Sequence, residues 1–224
     1  MLASDLSLRL TEIFCSLQGE STWVGERTAF VRLTGCPLRC EYCDTAYAFS
    51  GGKNVLLSEI LSRVADYAVN YVCVTGGEPL AQPDCIVLLT ALCNAGYRVS
   101  LETSGALDIA GVDPRVKRVV DLKTPSSGEL DKNRWENIAQ LNPFDEVKFV
   151  IGDREDFIWA RGVCEKYDLA KRVNCVLFSP VMAIADKPQA QDRRELAEWI
   201  LADALPVRLQ LQQHKLVWGD QPGH

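Results

Sequence analysis

Short runs rich in β-branched and aromatic residues alternate with segments of helical periodicity from residue 28 onwards. Candidate strands cover 29–33, 71–75, 98–102, 118–121, 146–151, 174–178 and 207–211. Such alternation with short connections is typical of βαβ units, so it predicts an α/β fold with a parallel sheet. In sheets of this kind the chemistry gathers in the loops that follow the carboxyl ends of the strands.

The helical segments between the strands carry recognisable boundaries. Ser58 is a candidate N-cap for a helix with one apolar face, formed by Ile60, Leu61, Val64 and Ala68. The other predicted helices are 86–93, stopped by Asn-Ala-Gly at 94–96, then 153–167 and 192–202. Residues 124–133 contain Pro-Ser-Ser-Gly and are predicted to form a surface loop.

Composition places the chain among ordinary globular proteins. Its 224 residues predict one domain over 1–224, and 47% hydrophobic with 24% charged residues exclude wholesale disorder. A formal charge of −6 excludes the basic footprint of a nucleic-acid or membrane-surface binder, so a small-molecule substrate is expected. Residues 1–6 lack a basic n-region and the apolar stretch at 86–92 is too short for a bilayer, which predicts a cytoplasmic location without a secretion signal.

Nine cysteines are present, and three of them are clustered. The other six stand singly among mostly apolar neighbours, where a thiol behaves as a small buried hydrophobe; they are Cys15, Cys73, Cys85, Cys93, Cys164 and Cys175. Cys36, Cys40 and Cys43 are spaced C-x3-C-x2-C in a loop after a predicted strand. A structural zinc site would require a distant fourth ligand, whereas an iron–sulfur cluster on three cysteines keeps one iron open for reactivity.

The cysteine loop resembles the signature of the radical S-adenosylmethionine (SAM) superfamily. A second match is Thr75-Gly-Gly-Glu-Pro79, which follows the next strand and resembles the GGE element of that superfamily. The resemblance implies an open, partial (β/α) barrel of about six core strands. It also implies a [4Fe-4S] cluster on Cys36, Cys40 and Cys43, with SAM on the open iron.

Within the superfamily, three segments are similar to the 7-carboxy-7-deazaguanine synthase family of queuosine and 7-deazapurine biosynthesis. These segments are 12–20, 28–33 and 43–45. The similarity implies that Thr45 is a ligand of Mg²⁺ and that Arg32 pairs with a substrate carboxylate. The substrate-binding residues implied in this way are Leu17, Gln18, Gly19, Arg32 and Thr75.

The same resemblance implies a set of SAM contacts: Tyr42, Cys43, Asp44, Gly77, Glu78, Glu102, Ser104, Asp121, Leu122, Lys123, Ser179 and Pro180. Glu78 would accept the methionyl ammonium of SAM. The segment 121–123 keeps only the lysine of the Ser-Pro-Lys found in many members, and Ser179 stands where Gln is common. Residues 212–215 resemble the closing Gln-x-His-Lys of the family, in which His214 is expected to be a hydrogen-bonded structural residue.

The implied activity is a lyase reaction: SAM-dependent radical ring contraction of 6-carboxy-5,6,7,8-tetrahydropterin to 7-carboxy-7-deazaguanine with loss of ammonia. The family further implies Mg²⁺, an electron donor such as flavodoxin or ferredoxin, and a homodimer. Trp135 and Trp159 could mark its interface, although core packing is the commoner use of tryptophan. Two alternatives remain open at this point, an activating enzyme for a glycyl-radical partner and a zinc-stabilised binding module.

Overall fold

The computed structural model describes residues 6–182, 191–219, 221 and 223. The prediction that no secretion signal is present uses residues 1–6. Residues 1–5 lie outside the described residues. None of the described helices is both long and apolar enough to cross a membrane.

One mixed sheet organises the described part of the chain. Its strands are β1 (Ser7–Leu17), β2 (Arg27–Leu33), β3 (Lys53–Leu56), β4 (Tyr71–Gly76), β5 (Arg98–Thr103), β6 (Lys117–Asp121), β7 (Glu146–Ile151), β8 (Cys175–Pro180) and β9 (Arg208–Leu209). Their order is β3-β1-β2-β4-β5-β6-β7-β8-β9. Strand β1 pairs antiparallel with β2 and β3, and from β2 to β9 all pairings are parallel. The sheet does not close, which confirms the open, partial (β/α) barrel.

The strands have two different faces because side chains alternate along a strand. In β7, Val147, Phe149 and Ile151 belong to the apolar core, which lies between the sheet and the helices. The alternate residues Lys148 and Val150 line a cavity on the opposite face. The inner face of the partial barrel is therefore polar at several positions, whereas the outer face forms the hydrophobic core.

The described helices are α1 (Leu57–Asp66), α2 (Cys85–Asn94), α3 (Arg154–Tyr167), α4 (Leu169–Arg172), α5 (Arg193–Ala202) and α6 (Gln213–Trp218). Asp153 caps α3 and Asp192 caps α5, each through a side-chain oxygen that accepts a backbone N–H. The prediction of Ser58 as a cap is wrong: the N-cap of α1 is Leu56, and no side chain caps that end. Ala68 lies beyond the helix in a left-handed conformation, with φ of 49°.

All the predicted strands are present, but β1 and β3 were not predicted. The loop at 124–133 is also corrected, because Thr124, Ser127 and Asn133 are buried and two 3₁₀ turns form within it. The segment is held against the cysteine loop: the Glu41 N–H donates to the Ser127 carbonyl at 3.0 Å.

Residues expected to pack in the core largely do so. Cys73, Cys85 and Cys175 are buried, while Cys15, Cys93 and Cys164 are half-buried against the core. The Trp135 ring stacks on Tyr167 with centroids 5.4 Å apart, and Trp159 contacts Phe149 at 6.0 Å. The two tryptophans are therefore partly buried by packing within the chain.

Candidate active site at the carboxyl ends of the parallel strands

A cavity of about 220 Å³ opens at the carboxyl ends of the parallel strands and is bordered by the cysteine loop, the N-terminal segment and the start of α6. Most of the residues predicted for the site line it: Leu17, Gln18, Gly19, Arg32, Cys36, Cys40, Tyr42, Cys43, Asp44, Thr45, Thr75, Gly77, Glu102, Ser104, Asp121 and Lys123. Residues that are far apart in sequence thus meet in one place, as expected for parallel strands.

The cysteine loop and the Gly-Gly-Glu turn are packed directly against each other. The Glu78 N–H donates to the Gly35 carbonyl at 2.8 Å. A Cβ atom at Gly77 would lie 2.3 Å from that carbonyl oxygen and 2.6 Å from Cys36 Cβ, so only glycine allows this approach. The two predicted motifs therefore form a single wall of the cavity.

The three thiols of this wall are half-buried. Burial raises the pKa of Cys40 to about 11 and also raises the pKa of Cys36. Metal ions bind thiolates, so a bound metal centre would displace the thiol protons.

Four predicted SAM-binding residues are not among those that line the cavity: Glu78, Leu122, Ser179 and Pro180. Glu78 is fully buried and its carboxylate accepts hydrogen bonds from Thr103 Oγ1 at 2.9 Å, from the Ser104 N–H at 2.7 Å and from the Leu80 N–H at 3.0 Å. These bonds join the end of β4 to the end of β5. The geometry thus gives Glu78 a role in holding two strand ends together.

Five charged side chains, Glu20, Glu102, Asp121, Lys123 and Lys148, lie together along one side of the cavity and are called the lumenal cluster below. Lys148 Nζ lies 2.7 Å from Glu20 Oε2, 3.7 Å from Glu102 Oε2 and 3.8 Å from Asp121 Oδ2. Lys123 Nζ lies 3.0 Å from Asp121 Oδ2. Each lysine is therefore compensated, while three carboxylates share two ammonium groups.

The carboxylates of the lumenal cluster differ in protonation. Burial, only partly offset by Lys148, raises the pKa of Glu102 to about 7. Burial also disfavours the charged form of Glu20, but Lys148, His214 and Gln212 together outweigh it and hold the pKa of Glu20 below its ordinary value. Burial opposes the charge of Lys148 as well, yet its carboxylate neighbours raise its pKa well above the ordinary value.

Residues at the start of α6 and just before it lie at the rim of the cavity. Lys215 Nζ lies 2.8 Å from Asp44 Oδ2, and Gln212 Nε2 donates to Glu20 Oε1 at 2.9 Å. The Thr45 hydroxyl donates to Asp44 Oδ1 at 2.9 Å. Although burial favours the neutral form, Lys215 holds the pKa of Asp44 well below its usual range.

His214 also lines the cavity, whereas the sequence predicted only a structural role for it. A Cβ atom at Gly19 would lie 2.0 Å from His214 Nδ1, so the glycine is required for this close approach. Burial lowers the pKa of His214, more than its neighbours Glu20 and Asp44 raise it. The imidazole therefore favours its neutral form.

Arg32 lines the cavity beside aromatic rings. Its Nε donates to Glu12 Oε1 at 2.7 Å, and its guanidinium carbon lies 5.7 Å from the Phe14 centroid and 5.8 Å from the Tyr47 centroid. Phe14 stacks on Phe30 with centroids 4.9 Å apart. This part of the wall offers a flat apolar surface next to a cation.

The donor set fits an iron–sulfur cluster and SAM better than a structural ion. Three cysteines lie on the wall of a cavity that has room beside them for a ligand. Among the described residues, no three His, Cys, Asp or Glu side chains are arranged to hold a single metal ion. Two polar atoms of the wall, Gln18 Nε2 and Asp121 Oδ1, are buried without a hydrogen-bond partner in the described part of the chain, and a bound ligand would satisfy them.

Sequence reasoning assigned no site role to four residues that line the cavity, although three of them lie in segments that resemble the family: Glu20 in 12–20, and Gln212 and Lys215 in 212–215; the fourth is Lys148. Lys148 had a detectable signal, because it follows Glu146 at a spacing of two in a strand that is otherwise apolar and buried. A charged residue on one face of such a strand indicates a polar interior. For Glu20 the signal was its place at the end of the matched segment 12–20.

Comparison with known proteins agrees with this geometry. Residues 30–125 match the family model described as the Radical SAM superfamily. The chain is 42% identical over 219 residues to 7-carboxy-7-deazaguanine synthase of Koribacter versatilis, covering 94% of this chain and 97% of the relative. It is 41% identical over 220 residues to the synthase of Chlorobaculum tepidum, covering 97% of each. The chain belongs to the 7-carboxy-7-deazaguanine synthase family.

The fold of this family member also matches solved structures. A crystal structure of QueE from Escherichia coli superposes with a TM-score of 0.68 at 21% identity, covering 93% of this chain and 95% of that one. A radical SAM methyltransferase from Sphaerobacter thermophilus superposes with a TM-score of 0.56 at 15% identity, covering 82% and 66%. The matched family model and the curated relatives confirm the membership in the radical SAM superfamily that the two motifs predicted, and these structures agree with its fold.

Proposed function

We propose that this chain is a 7-carboxy-7-deazaguanine synthase, a lyase that converts 6-carboxy-5,6,7,8-tetrahydropterin into 7-carboxy-7-deazaguanine with loss of ammonia. The observation that carries the proposal is the joining of the cysteine loop, the Gly-Gly-Glu turn and a polar cavity in a chain that aligns with curated synthases over nearly its whole length. That alignment favours a synthase over an activating enzyme for a glycyl-radical protein.

The cofactors are a [4Fe-4S] cluster held by Cys36, Cys40 and Cys43, and SAM. When bound, they supply the one-electron and hydrogen-transfer chemistry of the reaction. The protein binds and orients SAM through groups on the same wall: Tyr42, Asp44, Gly77, Glu102, Ser104, Asp121 and Lys123. Glu78 contributes by fixing the strand ends that carry these residues.

Substrate binding uses the remaining part of the cavity. The terminal nitrogens of Arg32 pair with the substrate carboxylate, and Phe14 beside it provides an apolar surface for the ring. Leu17, Gln18, Gly19 and Thr75 surround the pterin, where Gln18 Nε2 donates to an acceptor on its edge. A cavity enclosed on several sides excludes bulk water from the reacting centre.

The proposal extends to Mg²⁺, which Thr45 holds together with substrate oxygens and water. It further includes flavodoxin or ferredoxin as the electron donor, a homodimeric assembly and a cytoplasmic location. These features follow from the resemblance to the family, and Thr45 at the cavity rim is compatible with the first of them.

The test of the proposed function is anaerobic reconstitution with iron and sulfide, followed by incubation with SAM, dithionite and the tetrahydropterin. We expect mass spectrometry to detect 7-carboxy-7-deazaguanine. Cys40→Ala should lose both iron and turnover, because two thiolates cannot hold the cluster. Cys164→Ala, on α3 and away from the cavity, is the matched control and should retain both. Iron and turnover that survive in Cys40→Ala would overturn the assignment, and zinc in the wild-type protein would indicate a binding module.

The magnesium site is tested separately. Thr45→Ala should weaken the dependence of turnover on Mg²⁺ while the iron content stays unchanged, because only one oxygen ligand is removed. Steady-state rates measured over a magnesium titration provide the readout. Thr45→Ser, which keeps the hydroxyl, should behave like the wild type, and an identical magnesium response in all three proteins would refute the role.

A further inference from the structure

We propose that Lys148 is a positioning residue that holds Glu20 ionised and aimed into the cavity, so that Glu20 accepts the N–H donors on the edge of the bound heterocycle. The inference rests on the proposed function for the identity of that heterocycle. It concerns a residue in the middle of β7 that neither motif of the cysteine wall includes.

The geometry singles out the contact between these two residues. Lys148 Nζ donates to Glu20 Oε2 at 2.7 Å, whereas its distances to Glu102 and Asp121 are 1 Å longer, at 3.7 and 3.8 Å. The second oxygen, Glu20 Oε1, accepts from Gln212 Nε2 at 2.9 Å. Both residues are nearly buried and both line the cavity, so their charges are poorly screened by solvent.

The charged groups around Glu20 come from every neighbouring element. Lys148 of β7 and His214 of α6 favour its ionised form. Glu102 of β5 adds a negative charge to this region, as do Asp121 of β6, Glu146 of β7 and Asp44 of the cysteine loop. His214 favours its neutral form, Lys123 Nζ lies 3.0 Å from Asp121 and Lys215 Nζ lies 2.8 Å from Asp44. Lys148, at 2.7 Å, is the ammonium group that contacts Glu20 directly.

An ionised carboxylate accepts hydrogen bonds but cannot donate them. The pyrimidine edge of a pterin carries N–H donors, so it matches an ionised Glu20 and not a protonated one. In this proposal Lys148 acts on the heterocycle through Glu20. Removal of the ammonium group should therefore weaken substrate binding more than it slows the bound reaction.

The first measurement needs no cofactor. In protein labelled with ¹³C at the glutamate carboxyl groups, the Glu20 signal is assigned by its loss in Glu20→Gln and followed by NMR during a pH titration. We expect a wild-type midpoint below 4.5 and a midpoint above 4.5 in Lys148→Met. Lys148→Arg, which keeps the charge, should retain a low midpoint. A wild-type midpoint above 4.5 overturns the proposal without any variant, even if Lys148→Met fails to fold.

The second measurement uses the reconstituted enzyme. Lys148→Met should raise KM for the tetrahydropterin by about tenfold or more, the loss expected for a hydrogen bond to a charged group. The value of kcat should change less, iron content should stay the same, and Lys148→Arg should recover most of the affinity. Lys171→Met, whose side chain is 82% exposed, is the control and should match the wild type. Equal KM values in Lys148→Met and wild type would refute the positioning role. A wild type that does not convert the pterin would refute the proposed function, and the NMR titration would then decide the role of Lys148.

Discussion

Glu20 and Glu102 are two buried carboxyl groups that approach the same ammonium group and differ in protonation. Burial raises the pKa of Glu20 less than Lys148, at 2.7 Å, His214 and Gln212 together lower it, whereas burial raises the pKa of Glu102, which lies 3.7 Å from Lys148, to about 7. The two carboxyl groups therefore differ in the direction in which the pKa is shifted, and Glu102 titrates near neutrality. Such pairs are a common arrangement in active sites.

Glu102 makes the folded protein sensitive to pH. Between the ordinary pKa of 4.5 and about 7 the native state binds a proton that the unfolded state has lost, so this residue makes stability fall as pH rises through that window. Glu102→Gln, which cannot ionise, should flatten this decline. Urea unfolding of both proteins at several pH values measures it, and parallel profiles would contradict the prediction.

Individual site residues were predictable only where a motif carried them. Cys36, Cys40 and Cys43 are recognisable by spacing alone, and the structure places all three on the cavity wall. The contact between Glu20 and Lys148 joins positions 128 residues apart, and nothing local to either residue encodes it. Long-range electrostatic pairs therefore require the fold before they can be identified.

At the scale of elements, the two acid-capped helices follow directly from the sequence. Asp153 accepts from the Asp156 N–H at 2.9 Å, and Asp192 accepts from the Arg194 N–H at 2.8 Å. Helix α1 differs, because its chain leaves β3 in an extended conformation at Leu56 and continues into the helix without a side-chain cap. The neighbouring strand, and not the local serine, sets its start.

The cap of α3 contributes measurably to stability. Asp153→Ala should lower the free energy of unfolding by about 0.5–2 kcal/mol, because a backbone donor of the first turn loses its partner. Asp153→Ser keeps an acceptor and should retain most of the stability. Chemical denaturation of the three proteins gives the values, and equal midpoints for wild type and Asp153→Ala would contradict the assigned cap.

Strands β1 and β3 escaped prediction for a physical reason. Residues of β1 are half-buried from Thr11 to Ser16, and Glu12 and Ser16 interrupt any apolar alternation. The four residues of β3 are exposed apart from Val55. Strand β3 lies at the edge of the sheet, where it forms through backbone pairing with residues 7–10 of β1. Strand β1 lies between β3 and β2, and only its first half, with Leu8 and Leu10 in the core, has an apolar alternation.

In the whole molecule, the N-terminal segment and the C-terminal region meet beside the cavity. The Gln210 side chain accepts from the Ser21 N–H at 3.0 Å and donates to the Ser21 carbonyl at 2.9 Å. The Gln213 N–H donates to the Gly19 carbonyl at 2.9 Å. The parallel sheet class was predictable from periodicity, whereas this clasp between distant segments was not, because it depends on the strand order.

Loss of the Gln210–Ser21 hydrogen bonds should destabilise the fold and lower turnover. Gln210→Ala leaves both backbone groups of Ser21 buried without their partner, which should cost about 1–3 kcal/mol in the free energy of unfolding. Gln213→Ala is the matched control, because its contact with Gly19 uses the backbone. Denaturation and turnover should both be impaired only in Gln210→Ala, and equal losses in the two variants would count against the clasp.

The open sheet leaves edge strands that affect how copies of the chain interact with each other. A barrel left open to admit a ligand exposes two flanking strands, and exposed flanks are templates on which other chains can add a strand. Here those flanks are β3 with four residues and β9 with two. Strands so short offer few backbone groups for recruitment, so these two flanks are poor templates for a further strand.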